Sequence, residues 1–294
     1  MAETTLAVPN KPDSTIWITG AGGLIGNYLV QLAPQFASSS HAVGLTRETL
    51  DLLDTAAVRQ AFRELQPAAI VHCAAMTKPP DCQANPKLAH RINIETTALL
   101  AELAANIPFF FISTDLVFDG RKGNYAETDP VNPLSVYAET KVAAERIVLA
   151  NPRHTVIRTS LNGGVSPTGD RGFNEQIRMA WQRGEKLRFF TDEFRSPIHA
   201  EFTARACWEL FSKQQTGIIH VAGGEKLSRA RIGEQLARRC QHLNPKFDTG
   251  SLKDYAGVPR SPDTSLDSSK AQAQLSFQLP GLTDWLQENP TAPF

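Results

Sequence analysis

Cysteine is scarce and scattered: Cys73, Cys82, Cys207 and Cys240 are the four in 294 residues, and none forms a Cys-x-x-Cys pair. That spacing suggests neither a disulfide framework nor a zinc site, and the histidines show no ligand spacing either, so no metal is expected. An excess of either charge is also missing. Lys+Arg and Asp+Glu both total 30, which removes the broad basic face needed to grip nucleic acid or anionic lipid. No apolar run is long enough to span a bilayer. The start of the chain lacks the basic and apolar segments of a signal peptide, so residues 1–14 are expected to be a disordered tail. These absences point to a cytoplasmic protein with no nucleic-acid or membrane partner.

Short apolar runs alternate with longer amphipathic segments. Strands are expected at 15–19 (TIWIT), 42–45, 69–73 (AIVHC), 109–113 (FFFIS), 155–159 and 217–221. Helices are expected at 24–32, 55–65 with Asp54 as N-cap, 87–106, 135–150, 200–212 and 229–241. Alternation at this spacing implies parallel pairing through right-handed crossovers, and near-continuous apolar strands imply helices on both faces. The fold class is therefore α/β, a doubly wound parallel sheet of the Rossmann type. The nucleotide domain is placed at 15–162, joined by about 198–222. A small lobe at 163–197 and 223–294 carries the substrate; 163–172 is expected to be a mobile loop, and 244–265 has no clear period. Apolar faces around 87–106 and 135–150 offer a homodimer surface, and Trp181, Trp208 and Trp285 fit helix-face packing.

The first strand runs straight into Gly20-Ala-Gly22-Gly23-Leu24-Ile25-Gly26. Gly20 permits the tight turn, Gly23 lets backbone N–H groups approach a pyrophosphate, and Gly26 lets helix and strand pack closely. After the second strand, Arg47 is placed for a bidentate phosphate contact with Thr46 as a second donor. This favours NADP(H) over NAD(H), although the adjacent Glu48 works against it. Asp51 and Leu52 follow where the chain passes an adenine, with helix capping as the rival role for Asp51 and the preferred one for Asp54. Cys73, Ala74 and Ala75 offer small side chains beside the adenosine, while His72 and Cys73 also read as core.

Tyr137 and Lys141 stand four residues apart, on one face of a helix. A nearby cation is expected to lower the pKa of the phenol, fitting it for proton transfer at a carbonyl. One strand earlier, Ser113 and Thr114 compete to hydrogen-bond the same carbonyl, with Thr114 preferred. Asp115 either touches substrate or stabilises the turn.

Together, the segments Thr19 to Gly26, Ser113 to Gly120 and Tyr137-x-x-x-Lys141 resemble the extended short-chain dehydrogenase/reductases, within them the dTDP-4-dehydrorhamnose reductase-like branch. Arg158-Thr-Ser160, residues 192–198, 217–223 and 260–270 extend the similarity over nearly everything from Thr15 onward. The resemblance implies an NAD(P)-dependent reductase acting on the keto group of a nucleotide-linked deoxysugar. On that basis Tyr137 is the proton donor, Lys141 supports it and the cofactor, and Thr114 polarises the carbonyl. Ser113 and Leu161 join the cofactor wall. Leu116 and Leu161 depart from the reductase pattern, which carries aromatics at both places. Residues 76–85, with Thr77, are expected to line the substrate side, and Arg195 and Arg260 are candidates for a substrate anion, an inter-lobe salt bridge being the alternative. The chain is also similar to the regulatory beta subunit of methionine adenosyltransferase, which binds NADP as a partner of another enzyme. Two other readings therefore stay open: a nucleotide-sugar epimerase or dehydratase with bound NAD(P), and a non-catalytic NADP-binding subunit.

Overall fold

A computed structural model describes residues 14–36, 40–292 and 294. The expected tail lies outside them except for Ser14, which opens the first strand. Six strands make the central sheet: β1 (Ser14–Thr19), β2 (Ser40–Leu45), β3 (Ala69–His72), β4 (Phe109–Thr114), β5 (Thr155–Thr159) and β6 (Gly217–Val221). Every pairing is parallel, in the order β6-β5-β4-β3-β1-β2. Strand order reverses between β1 and β3, which opens a crevice beyond their carboxyl ends where ligands of such sheets bind.

The period of two divides the apolar side chains between two layers. Ile16, Ile18, Val71, Phe110, Ile157 and Ile219 join Trp208 and Leu29 on one face. Trp17, Ile70, Phe109, Phe111 and Val156 join Val58, Leu100 and Val148 on the other. Burial on both faces is why these strands read as unbroken apolar runs rather than alternating ones. The doubly wound Rossmann-type fold is thus present as expected.

The helices Thr55–Leu65, Ala200–Ser212 and Val136–Leu149 lie where the periodicity puts them. Asp54 Oδ1 accepts from Ala57 N at 3.0 Å, and Ser135 Oγ accepts from Ala138 N at 3.3 Å, so each helix starts on a side-chain cap. The single helix expected over 87–106 is instead Pro86–His90, a π-helical turn Arg91–Glu95, and Thr96–Leu103. That turn carries the buried Asn93. Its Oδ1 accepts from Met76 N at 2.8 Å, and its Nδ2 donates to Met76 O at 3.1 Å and Thr140 Oγ1 at 2.9 Å. One amide therefore ties the segment after β3 to the helix bearing Tyr137. Within residues 76–85, Pro79–Ala84 is helical.

The later part of the chain is more regular than expected. Trp181, Phe189, Ile232, Leu236 and Trp285 gather in a core of their own. Strands Lys186–Phe190 and Lys246–Gly250 pair in parallel beside the helix Phe173–Gln182. Residues 163–172 are fastened rather than loose: the Glu175 carboxylate accepts from Ser166 N and Oγ, Arg171 N and Gly172 N at 2.7–2.9 Å.

Candidate active site

The turn after β1 is where glycine is required. Gly20 has φ +69°, and a Cβ there would lie 2.7 Å from Ala74 N. A Cβ on Gly26 would lie 2.3 Å from Gly20 O, so the helix Leu24–Phe36 begins against the strand end only because that side chain is absent. Around Gly22 the reverse holds: nothing but Thr46 Cγ2 lies within 4 Å of a Cβ built there. The loop therefore presents backbone to open space at a helix N-terminus, a cradle suited to phosphate.

That open space is a cleft of about 1030 Å³ along the carboxyl ends of the sheet. The cofactor-wall residues expected from the sequence all line it: Gly20, Gly22 to Gly26, Thr46, Arg47, Asp51, Leu52, Cys73 to Ala75, Ser113 and Leu161. So do Thr77, Thr114, Asp115, Tyr137, Lys141, Arg195 and Arg260. Arg47 is exposed at the rim. Beside it, Glu48 hydrogen-bonds the Thr46 side chain, which holds the Glu48 carboxyl below its ordinary range. Asp51 Oδ1 accepts from Leu53 N at 3.0 Å, a local turn bond, and the helix cap falls to Asp54 instead. Burial pushes the Cys73 thiol up to about 12, leaving it an inert thiol beside the cleft. His72 is core: its Nδ1 is 2.6 Å from Thr19 Oγ1, and burial lowers it to about 3.

Tyr137 and Lys141 sit one above the other on a buried helix face, packed under β4. The expected electrostatics are reversed. Burial raises the Tyr137 phenol above its ordinary value, with hydrogen bonding from Thr114 acting in the opposite direction. Lys141 does not offset this, because its Nζ donates to Ile112 O at 2.7 Å and lies 3.8 Å from the Phe111 ring centroid. Burial lowers the amine itself to about 7, with Glu145 pulling it back up. Tyr137 thus holds its proton at neutral pH and is fitted to give one.

Among the hydroxyls, Ser113 is engaged elsewhere: its Oγ donates to Glu145 Oε1 at 2.5 Å in the buried interior. Thr114 remains beside Tyr137, accepting from Leu116 N at 3.2 Å and donating to Asp115 Oδ1 at 3.1 Å. Both oxygens of Asp115 are occupied, Oδ2 accepting from Ser160 Oγ at 2.7 Å and Thr264 Oγ1 at 2.9 Å. It is therefore a junction between segments at the edge of the cleft. Arg195 is a junction in the same sense. Its Nη2 donates to Glu193 at 3.0 Å, Nη1 donates to Phe194 O and Ser261 O, and Nε lies 3.7 Å from Asp115. The salt-bridge alternative holds for it. Arg260 keeps more freedom, half-exposed and stacked 4.9 Å from the Tyr255 ring.

Residues 14–289 match the family described as the RmlD substrate binding domain. The chain belongs to that family. It is thereby an extended short-chain dehydrogenase/reductase of the dTDP-4-dehydrorhamnose reductase type, as the motifs implied. This RmlD-family chain is 30% identical over 283 residues to methionine adenosyltransferase 2 subunit beta of Rattus norvegicus, covering 90% of this chain and 83% of that one. Among solved structures it resembles a hypothetical dTDP-4-dehydrorhamnose reductase from Sulfolobus tokodaii at 29% identity and TM-score 0.78, over 92% and 97% of the two chains. The fold is shared as well with a dTDP-4-dehydrorhamnose reductase from Bacillus anthracis in complex with NADP, at 22% identity and TM-score 0.82, over 94% and 98%.

Other residues of the site escaped the sequence reading. Glu145 continues the i, i+4 stripe of Tyr137 and Lys141, and Arg158 forks onto it with Nε–Oε1 3.0 Å and Nη2–Oε2 2.8 Å. The stripe itself was the available signal. Glu193 and Arg229 also line the cleft. Glu193 stands two before Arg195 and meets its guanidinium at 3.0 Å. For Arg229 no sequence signal existed. Among the described residues no cluster of His, Cys, Asp or Glu fits a metal ion, and no helix is long and apolar enough to cross a membrane.

Proposed function

We propose that this chain is an NADPH-dependent reductase acting on the carbonyl group of a nucleotide-linked keto-deoxysugar. One observation carries the reading: a proton-holding Tyr137, with Thr114 beside it and Lys141 beneath, shares a cleft with a glycine cradle open to phosphate. NADP(H) is preferred over NAD(H) because Thr46 and Arg47 directly follow β2, where a 2′-phosphate would lie. The cradle fits the dinucleotide, since only backbone and the edge of Thr46 border Gly22.

Bound in this cleft, NADPH supplies a hydride to the carbonyl carbon. Tyr137 gives its phenolic proton to the carbonyl oxygen, so charge does not build up there. Thr114, turning its hydroxyl from Asp115 Oδ1, donates to that oxygen and fixes its direction toward the phenol. Lys141, when charged, stabilises the tyrosinate left behind. The buried stem of the helix Val136–Leu149 holds the two groups in register.

NADPH oxidation against a panel of nucleotide-keto-sugars and small ketones tests the reading. Tyr137→Phe should lower kcat by about 10²–10⁴ while leaving the NADPH dissociation constant within about twofold. Turnover at the wild-type rate in that variant refutes it. The likeness to methionine adenosyltransferase 2 subunit beta supports a second reading, a regulatory NADP-binding subunit. That reading gains if no carbonyl is reduced and the Tyr137→Phe chain keeps its cellular role.

A further inference from the structure

Ser113, Arg158 and His220 are register partners on β4, β5 and β6, so their side chains form one row on a single face of the sheet. Glu145, on the helix Val136–Leu149, is 3% exposed and lands on that row. Its Oε1 accepts from Ser113 Oγ at 2.5 Å and Arg158 Nε at 3.0 Å, and its Oε2 accepts from Arg158 Nη2 at 2.8 Å. The row ends on His220, whose Nδ1 lies 3.0 Å from Tyr125 O and therefore carries the ring proton. Its Nε2 is left as an acceptor 3.5 Å from Arg158 Nη1, and burial lowers the imidazole to about 4, so it is neutral at neutral pH. Arg158 is thus drawn toward β6 and Glu145 toward β4. The negative end of the pair faces Lys141, which stands one helical turn before Glu145 and donates to Ile112 O of β4.

A buried ion pair is weak evidence for stability, since apolar residues of similar volume often replace it without loss. Its charge is the better reason for its place, because the other titratable groups around Lys141 bring little. On β3, burial lowers His72 to about 3 and raises the Cys73 thiol to about 12. Burial likewise raises the Cys82 thiol to about 11, and Tyr137 holds its proton. In residues 86–103 the buried polar groups are Asn93, Thr96 and Thr97, while Lys87, His90, Arg91, Glu95 and Glu102 are exposed. Asp81, Glu139 and Arg146 are exposed as well, and Asp115 has Arg195 3.7 Å away. Glu145 is the carboxylate left to act on the amine, and it pulls Lys141 up against burial.

We propose that Glu145 is a positioning residue for carbonyl reduction: clamped by Arg158 and Ser113, its carboxylate keeps Lys141 an ammonium beneath Tyr137. The proposal rests on the reductase reading, in which the charged amine stabilises the tyrosinate. Without this carboxylate Lys141 gives up its proton at lower pH and is neutral where Tyr137 must release its own. Arg158 acts one step further out, fixing the carboxylate by its fork.

NMR of ligand-free protein labelled at the lysine ε-carbon, with Lys141 assigned by the signal lost in Lys141→Met, follows the amine directly. Its midpoint should lie near pH 7 in the wild type. Glu145→Gln, nearly the same shape without the charge, should lower it by about one pH unit. Glu145→Leu/Arg158→Met removes both charges without leaving either unpaired, and should shift the midpoint in the same direction. With NADPH and a nucleotide-keto-sugar, a midpoint moved by about one unit lowers kcat by about twofold at pH 6 and about tenfold at pH 8, following the charged fraction of Lys141. Should Glu145→Gln fail to fold, the double variant decides alone. A midpoint unmoved in either folded variant, or a kcat loss equal at pH 6 and pH 8, overturns the proposal and leaves Glu145 a structural partner of Arg158. Reduction of a ketone by the wild type alongside that result leaves the reductase reading standing. A shifted midpoint in a protein that turns over no ketone supports the hold of Glu145 on Lys141 and sinks the reductase.

Discussion

Replacing Lys141 by Met removes an amine that is 2% exposed and lowered from 10.5 to about 7 by burial. In the unfolded chain the amine stays protonated up to its ordinary value, whereas the folded protein binds that proton only near pH 7. Between these two values the unfolded state therefore holds more protons, and the wild type loses stability as pH falls from about 10.5 toward 7. Below pH 7 both states are protonated and the loss is constant. At about 1.36 kcal/mol per pH unit, the deficit is on the order of 4 kcal/mol at pH 7 and below about 1 kcal/mol at pH 10. Met fills similar space without titrating, so the difference between the two proteins cancels the other groups that titrate in this range. Urea unfolding of ligand-free wild type and Lys141→Met at pH 7, 8.5 and 10 measures it. The variant should be the more stable at pH 7, with an advantage that shrinks by about 3 kcal/mol at pH 10. A pH-independent difference would show that the Phe111 face and the Ile112 carbonyl keep the ammonium charged throughout, and the account of Lys141 would be wrong. The same variant should lose reductase activity, a case of stability sacrificed at a functional site.

Arg158→Met leaves the buried Glu145 carboxylate without its forked partner and should cost about 3–5 kcal/mol by urea unfolding, most of it recovered in Arg158→Met/Glu145→Leu. Gly26→Ala forces a Cβ against Gly20 O, backbone on both sides, and should cost about 1–3 kcal/mol while weakening NADPH binding; unchanged midpoints would contradict the glycine geometry. Arg47→Ala should weaken NADPH by about 10–100-fold, the worth of one charge-assisted contact, with NADH unaffected in fluorescence titrations. Equal losses for both dinucleotides would remove Arg47 from the 2′-phosphate.

The central sheet was legible because its strands are buried on both faces, so β3 and β4 announce themselves as apolar runs. The pair Lys186–Phe190 and Lys246–Gly250 was not, since its burial is partial and its residues include charges on the solvent side. The break in the long helix at Arg91–Glu95 has no Pro or Gly to mark it; it exists because Asn93 is drawn to Met76 and Thr140, partners distant in sequence. In the site, Tyr137 and Lys141 were readable from spacing, and the glycine loop from its position after the first strand. The direction of their electrostatics was not. Helical spacing places two groups on one face but does not say that the ammonium turns to the Ile112 carbonyl, nor that the phenol lies deep enough for burial to dominate. For Arg195 the sequence left anion binding and a salt bridge equally open, because its partners Glu193 and Asp115 are brought together only by folding.

Asp115 also has a mechanical meaning. One carboxylate at the end of β4 accepts from Ser160 at the end of β5 and from Thr264 of the later chain, with Arg195 3.7 Å away. The two packed halves are thus pinned at a point next to Thr114. Any rigid-body opening of the far half about that pin moves the residues farthest from it most and Thr114 least. A cleft wide enough to admit a large ligand can then close on it while the distance from Thr114 to Tyr137 stays fixed.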